Sequence, residues 1–415
     1  MDRVSTLLLE ALKASLSEEQ VSWEEEITGA QWRELFQMAE DHQILPMIFE
    51  AVYNCPSIQS CDPGILALVR SNIRRGVTLQ TMKTMEFLAL YKQLRSVGVT
   101  PCVVKGIICR NLYPKPDYRY SGDEDIYIPE EQFPSCCEAM LSNGMIPADK
   151  EQNMQKDYEV PFARKGSPLY VEVHKHMFAP DEAAYCEFNR YFDDVHDRLI
   201  RLNIGGTELL AMPHTDHFFF LICHAFKHFI HGGFGIRQVC DIFRYAEVYG
   251  NQIDWDYVYS ACREVRADVF AAAMLKIGQV YLNFDSEKAH LTEQWLKLMQ
   301  VDPTHMAEDL LAAGVFGQAE ESRKQSSTIT VSAITAQKQG RKERSGVMSA
   351  LFPPRYTLSG RYPYLHKYPF LLPVAWGSRM IGFMLHRKER GTDVSKSLEI
   401  GNERLNLMKE YGILK

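Results

Sequence analysis

Apolar residues recur at intervals of three and four from Ser5 to about Val97, as in Trp32, Leu35, Phe36, Met38 and Ala39 and again in Met85, Leu88, Leu90 and Leu94. That is the spacing of a buried helix face, so residues 1–98 are expected to be helical, with the Trp32 stripe in the core. From Pro101 to about Thr207 the pattern changes, and short runs of period two alternate with two helical stretches, the second over 133–141. This mixture predicts an α/β unit over 99–210, and the run 198–210 reads as a hairpin turning at Gly205-Gly206. After Pro213 the helical spacing returns through 218–230, 236–249, 255–265 and 271–282, which predicts a helical domain over 211–317 with Pro213 and Asp254 as start signals. Residues 318–347 carry many charges and few large apolar side chains, and are expected to form a mobile linker or loop. Residues 348–415, rich in Tyr, Phe and Pro around Trp376, need burial and are expected to pack back onto the core. The fold class expected is α+β, a mixed sheet with helices, flanked by helical regions on both sides.

The chain of 415 residues, 46% of them hydrophobic, is long enough for two or three domains and a sizeable core. A net charge of −7 lacks the basic footprint of a general nucleic-acid binder. Ten cysteines show no Cys-x-x-Cys spacing, and Cys102, Cys223 and Cys240 fall inside apolar patterns, so free buried thiols in a reducing cytoplasm are expected. The N-terminus lacks the features of a signal peptide. The most apolar stretches, 218–223 and 370–376, fall far short of the roughly 20 residues of a membrane span. A membrane-surface role for the aromatic C-terminal part, where Arg361, His366, Lys367 and Arg379 are interleaved with rings, is the alternative there.

The candidate chemistry centres on Asp123 and Asp125. In an extended segment these two share one face, where their charges repel unless a divalent cation lies between them. Mg²⁺ is commonly held by one or two carboxylates together with substrate phosphates. Alone, Asp-x-Asp reads more readily as an acidic turn before a strand, and the neighbours change that. Upstream, 103–108 reads as a short buried strand entering a helix through Lys105 and Gly106, which places a cation and a close-approaching backbone where phosphate binds. Downstream, 168–176 alternates strictly, setting Tyr170, Glu172 and His174 on one face, so Glu172 is a candidate third carboxylate. His217, His224, His228 and His231 lie along one face of the helix that opens the second domain. His224 and His228 have a zinc-ligand spacing, but no glutamate stands between them, so zinc chemistry is not expected.

The run from Val104-Lys-Gly106, through Arg119-x-Ser-Gly-Asp-x-Asp-Ile126, to Val171-Glu-Val-His174 resembles the DNA polymerase beta superfamily of nucleotidyltransferases. More narrowly it is similar to an uncharacterised bacterial branch in which Lys-Gly precedes the Asp-x-Asp strand and an acid-x-His strand follows. The segments 221–228 and 237–242 are similar to that branch's helical part, and the tail from Pro354 to Arg379 to its C-terminal part. The resemblance implies transfer of a nucleoside monophosphate from a nucleoside triphosphate to a hydroxyl of a small molecule or protein, with release of pyrophosphate and Mg²⁺ or Mn²⁺ as cofactor. It makes Asp123, Asp125 and Glu172 the metal ligands and catalytic acids, and puts Lys105, Gly106 and Arg119 at the phosphates. Ser121 is either a phosphate contact or a turn-stabilising group. His174 would orient the acceptor or a metal water. His228, Arg237 and Asp241 would face the acceptor or support the metal acids, unless that helix face is an ordinary packed interface. Two departures stand out: Lys105-Gly106 replaces Gly-Ser or Gly-Gly, and Glu124 replaces an apolar residue. They leave open a non-catalytic nucleotide-binding or interaction module on the same scaffold, and a zinc hydrolase on the histidine face is a third class.

Overall fold

Local signals start the N-terminal helices. Asp2 caps α1 (Arg3–Leu16) by accepting the Ser5 N–H, and Thr28 with Gln31 forms a capping box at α2 (Gly29–Asp41). Helix α3 (Leu45–Val52) follows. Asp62 and Pro63 open α4 (Pro63–Ser96), the long helix that leads to the sheet. The computed structural model describes residues 1–149, 153–154, 157–314, 321–340, 355–358, 362, 364–378 and 394–415. Trp32, Leu35, Phe36 and Ala39 are buried as expected. Met85, by contrast, is 67% exposed, because α4 packs one face only and the buried stripe beside it is Gln80, Lys83, Phe87, Leu90, Tyr91 and Leu94.

The sheet has seven strands: β1 (Cys102–Val104), β2 (Glu124–Tyr127), β3 (Ile146–Pro147), β4 (Glu159–Ala163), β5 (Tyr170–His174), β6 (Ile200–Ile204) and β7 (Thr207–Ala211), in the order β3-β4-β5-β2-β1-β7-β6. It is mixed: β1 runs antiparallel to β2 and parallel to β7, while β2 runs parallel to β5. The β6–β7 hairpin turns through Gly205 and Gly206, both at positive φ, which a two-residue turn of matching twist requires. Two short helices, α5 (Gly106–Arg110) and α6 (Phe133–Ser142), accompany the central strands. The observed architecture is thus α+β with helical flanks.

Beyond β7 come α7 (His214–His231), α8 (Ile236–Tyr249), α9 (Trp255–Glu264), α10 (Asp268–Tyr281), α11 (Glu293–Leu298) and α12 (Thr304–Ala313). Asp254 caps α9 by accepting the Tyr257 N–H. The expected mobile segment is instead, over α13 (Glu321–Lys338), a packed helix. Ile329, Val331, Ala333 and Ile334 join the main core, and α13 lies against α7 and the C-terminal helix Val394–Glu410. Two of its hydroxyl residues are tucked in by bonding backbone carbonyls, Ser326 to Arg323 and Thr330 to Ile230, which lowers the cost of burying part of a polar-looking segment. Residues 318–320 and 341–347 of that expected linker lie outside the described residues. So do 348–354, 359–361, 363 and 379–393 of the aromatic part, including Pro354, Arg361 and Arg379 of the readings above. In the described portion of that part, Leu358, Leu365 and Ala375 form a small cluster of their own with Trp376, separate from the main core, whereas Leu405, Leu407 and Met408 of the last helix do join it. All ten cysteines are free and nine are buried. Among the described residues no helix is long and apolar enough to cross a membrane.

Candidate active site

Parallel pairing of β2 with β5 sets Asp125 directly opposite Glu172, and the period of two brings His174 to the same face. The result is a tight donor group. Ligand atoms of Asp125, Glu172 and His174 all lie within 4.8 Å of one another. His174 Nε2 is 3.0 Å from Asp125 Oδ1 and 3.7 Å from Glu172 Oε2, and its Nδ1 is 3.6 Å from Glu159 Oε2 on the adjoining strand β4. Burial and the nearby charges of Asp125, Asp123 and Glu159 push the Glu172 carboxyl up to about 9. Such crowding of acids is what a hard cation would relieve, and two carboxylates with one imidazole suit Mn²⁺ or Mg²⁺ completed by phosphate oxygens. Asp123, half-buried just ahead of β2, stands outside this tight group but near enough for its charge to act on Lys105, Glu172 and Arg237.

Lys105 behaves unlike a free phosphate-binding cation. Its ammonium is 3.0 Å from Asp125 Oδ2 and donates to His224 Nε2 at 2.8 Å, next to ground a divalent ion would use. Burial disfavours its charge, but Asp125, Asp123 and Glu172 outweigh this and raise its pKa; on Asp125, burial is outweighed in turn by Lys105 and His174, which hold the carboxyl low. The Lys105 backbone has φ +50 and ψ −120, a conformation natural to glycine, and its N–H donates to His217 Nε2 at 3.1 Å. Lysine therefore occupies a backbone shape that glycine adopts more readily. Gly106 at φ +26 is required on space as well as angle, since a Cβ there would stand 2.2 Å from Glu124 Oε2.

Glu124, the unexpected residue between the two aspartates, points to the opposite face and is fully buried. Its Oε1 pairs with the buried Arg110, and its Oε2 accepts the Ile107 N–H at 2.8 Å, so it fastens the start of α5 to β2. Arg110 Nη1 also donates to the Ser121 hydroxyl at 2.7 Å, which gives Ser121 the turn-stabilising role of the two open to it. Lys83 clamps the same loop through the Ser121 and Gly122 carbonyls, and Gln80 accepts the Ser121 N–H. Sequence reading missed Lys83, Gln80 and Arg110. Only Arg110 left a signal, as the one basic residue of α5 beside a glutamate that had to be buried.

The remaining expected residues come from η-turn and helix positions around the same cleft. Arg119 is buried and held bidentately by Asp241, with Nε to Oδ1 at 3.0 Å, and Asp241 also accepts the Tyr113 hydroxyl at 2.8 Å. Asp241 thus anchors Arg119 and Tyr113 rather than the metal acids. Arg237, one helical turn away on α8, is 6% exposed, and its Nε and Nη1 are buried with no hydrogen-bond partner among the described residues. Burial, reinforced by Arg119, draws its pKa down to about 10. On α7, burial holds His224 and His228 far below their ordinary value, and their Nε2 atoms are 3.1 Å apart. Lys227, between them, is likewise drawn down by burial. Every site residue expected from the sequence lines one cleft of about 340 Å³, together with His224 of the histidine face and with Tyr158, Glu159, Met177, Phe220, Lys227 and Gln238, which were not foreseen.

A two-acid-and-histidine group on paired central strands, faced by buried cations, defines a site of the nucleotidyltransferase kind. Residues 28–283 match the family described as uncharacterised nucleotidyltransferase, and the chain belongs to that family. The match includes the donor group and the cleft faces of α7 and α8. It stops short of α13 and the tail. Comparison with curated proteins and comparison with solved structures return no match.

Proposed function

We propose that the chain transfers a nucleoside monophosphate from a nucleoside triphosphate to an acceptor hydroxyl, releasing pyrophosphate, in a reaction dependent on Mg²⁺ or Mn²⁺. The observation that carries this reading is the mutual approach of Asp125, Glu172 and His174 within 4.8 Å. Asp125 and Glu172 would hold the metal with Asp123 at its rim; when bound, the ion supplies positive charge to the polyphosphate and lowers the pKa of the acceptor hydroxyl. The acceptor oxygen forms the new bond to the α-phosphorus, the bond to the β-phosphate bridge breaks, and the hydroxyl proton passes through Glu172 to solvent. Arg237, whose guanidinium has no carboxylate within ion-pair distance among the described residues, is assigned to the departing phosphates, where preorganised positive charge contributes most. Lys105 would turn from Asp125 to a phosphate oxygen as metal enters. His174 and His228 would position the acceptor.

One observation favours a second reading, a nucleotide-binding module without catalysis: the Lys105 ammonium already balances Asp125 at 3.0 Å. Calorimetric titration with Mn²⁺ and each of the four triphosphates, followed by a pyrophosphate-release screen against pooled hydroxyl acceptors, separates the two. The D123N/D125N variant serves as the blank. Uptake with pyrophosphate release supports the transferase, uptake without release from any pool supports the module, and no uptake by folded protein removes both.

A further inference from the structure

Four basic side chains besides histidines line the cleft: Lys105, Arg119, Lys227 and Arg237. Two are already matched, Lys105 by Asp125 and Arg119 by Asp241. Among the described residues, no carboxylate lies within ion-pair distance of the other two. Arg237 is buried and Lys227 half-buried in the cleft wall, and a cation so placed without a counterion is poised for an anion. Their surroundings differ. The charged neighbours of Arg237 are Arg119, Asp241 and Asp123, whereas those of Lys227 are Glu159, Lys105, Glu172 and Asp125. Arg237 therefore stands on the Asp123 side of the donor group and Lys227 on the Glu172 side. Glu159, the largest opposite charge acting on Lys227, lies beyond ion-pair distance of it, faces His174 Nδ1 and takes a hydrogen bond from Tyr158.

A single triphosphate seated by the metal and Arg237 leaves Lys227 unmatched on the side where Glu172 meets the acceptor. Resting on the transferase reading above, we propose that the acceptor carries an anionic group, a phosphate monoester or a carboxylate, beside its reacting hydroxyl, and that Lys227 seats that group. On this proposal a cationic amino sugar binds less tightly than an anionic acceptor, because its ammonium meets Lys227 and Lys105 where the anion would sit. The apolar wall of Met177 and Phe220 suits the carbon skeleton between the two groups.

The test uses the whole protein loaded with Mn²⁺ and a triphosphate analogue whose α,β-bridge cannot be cleaved. Binding of glycerol 3-phosphate, glycerate, glycerol and glucosamine to the loaded protein is then measured by calorimetry. Glycerol 3-phosphate or glycerate is expected to bind at least tenfold more tightly than glycerol and glucosamine, and the stronger of the two identifies phosphate or carboxylate as the group recognised. In Lys227→Met that advantage disappears, and in Lys227→Arg it returns, with thermal unfolding confirming that both variants fold. Equal binding of all four probes, preference for glucosamine, or an anion preference that survives Lys227→Met overturns the proposal. Failure of the parent protein to take up Mn²⁺ and the analogue instead overturns the transferase reading, and this one with it.

Discussion

Replacing Glu124 by glutamine tests whether this residue is a structural staple. The side chain is fully buried, as is Arg110, 1% exposed. In the parent, one carboxylate oxygen meets Arg110 and the other the Ile107 N–H. Glutamine keeps the shape but offers a single acceptor oxygen and no charge, so Arg110 is left buried with only the Ser121 and Thr84 hydroxyls around it. Breaking one partner of a buried pair costs about 3–5 kcal/mol. Against a total stability of about 5–15 kcal/mol that is a large loss. Urea unfolding followed by far-ultraviolet dichroism measures it directly. The companion Arg110→Met and the double variant complete a cycle. Because each single change strands the other group, the double variant should be more stable than the sum of the two losses implies, by about 1–3 kcal/mol. A Glu124→Gln protein within about 1 kcal/mol of the parent, or strictly additive losses, would refute the staple and revive Glu124 as a mark of decay.

Asp125→Asn should weaken Mn²⁺ binding by more than about 100-fold, a loss beyond what supporting residues of metal sites cause, and calorimetry that finds parent-like affinity would exclude Asp125 as a ligand. Gly106→Ala places a methyl group 2.2 Å from Glu124 Oε2 at φ +26, and should cost about 1–3 kcal/mol in thermal unfolding; an unchanged midpoint would contradict the close approach. Acid should weaken the fold through His217. Burial holds its pKa down to about 3, so the folded state keeps it neutral while the unfolded chain protonates near pH 6.5. Its contribution is complete above pH 6.5 and falls as pH drops toward 3, by about 2 kcal/mol at pH 5. His217→Gln should therefore lose less stability than the parent between pH 7 and pH 5, and equal losses would refute this linkage.

Much of the site was legible because strand alternation alone decides which side chains share a face. Glu172 and His174 follow from that rule, the histidine face of α7 follows from helical spacing, and Arg237 came from the family resemblance. What the rule lacks is register, so the facing of Asp125 with Glu172 had to come from the sheet. Charge partners distant in sequence were likewise invisible: Arg119 looked available for phosphates until Asp241, on α8, took it. Glu124 broke the apolar pattern for a reason that only Arg110 reveals. The largest miss in the fold was α13, whose serines, threonines and small apolar residues mimic a linker although the helix is packed, with Ser326 and Thr330 bonded to backbone carbonyls. Met85 erred the other way, an apolar side chain on the open face of a helix longer than the surface it covers.

The end of α7 bears on how the protein can be shortened. Carbonyls of Phe229, Ile230 and Gly232, which the helix itself leaves unbonded, are taken by Arg404, Thr330 and Arg323 respectively. All three donors lie beyond residue 283, where the family match ends. Trimming the gene at that boundary would remove all three donors and open to water the apolar face on which α13 packs, one turn from Lys227 and His228. Expression trials designed on sequence recurrence alone would then yield insoluble material, and a working minimal version has to keep both terminal helices.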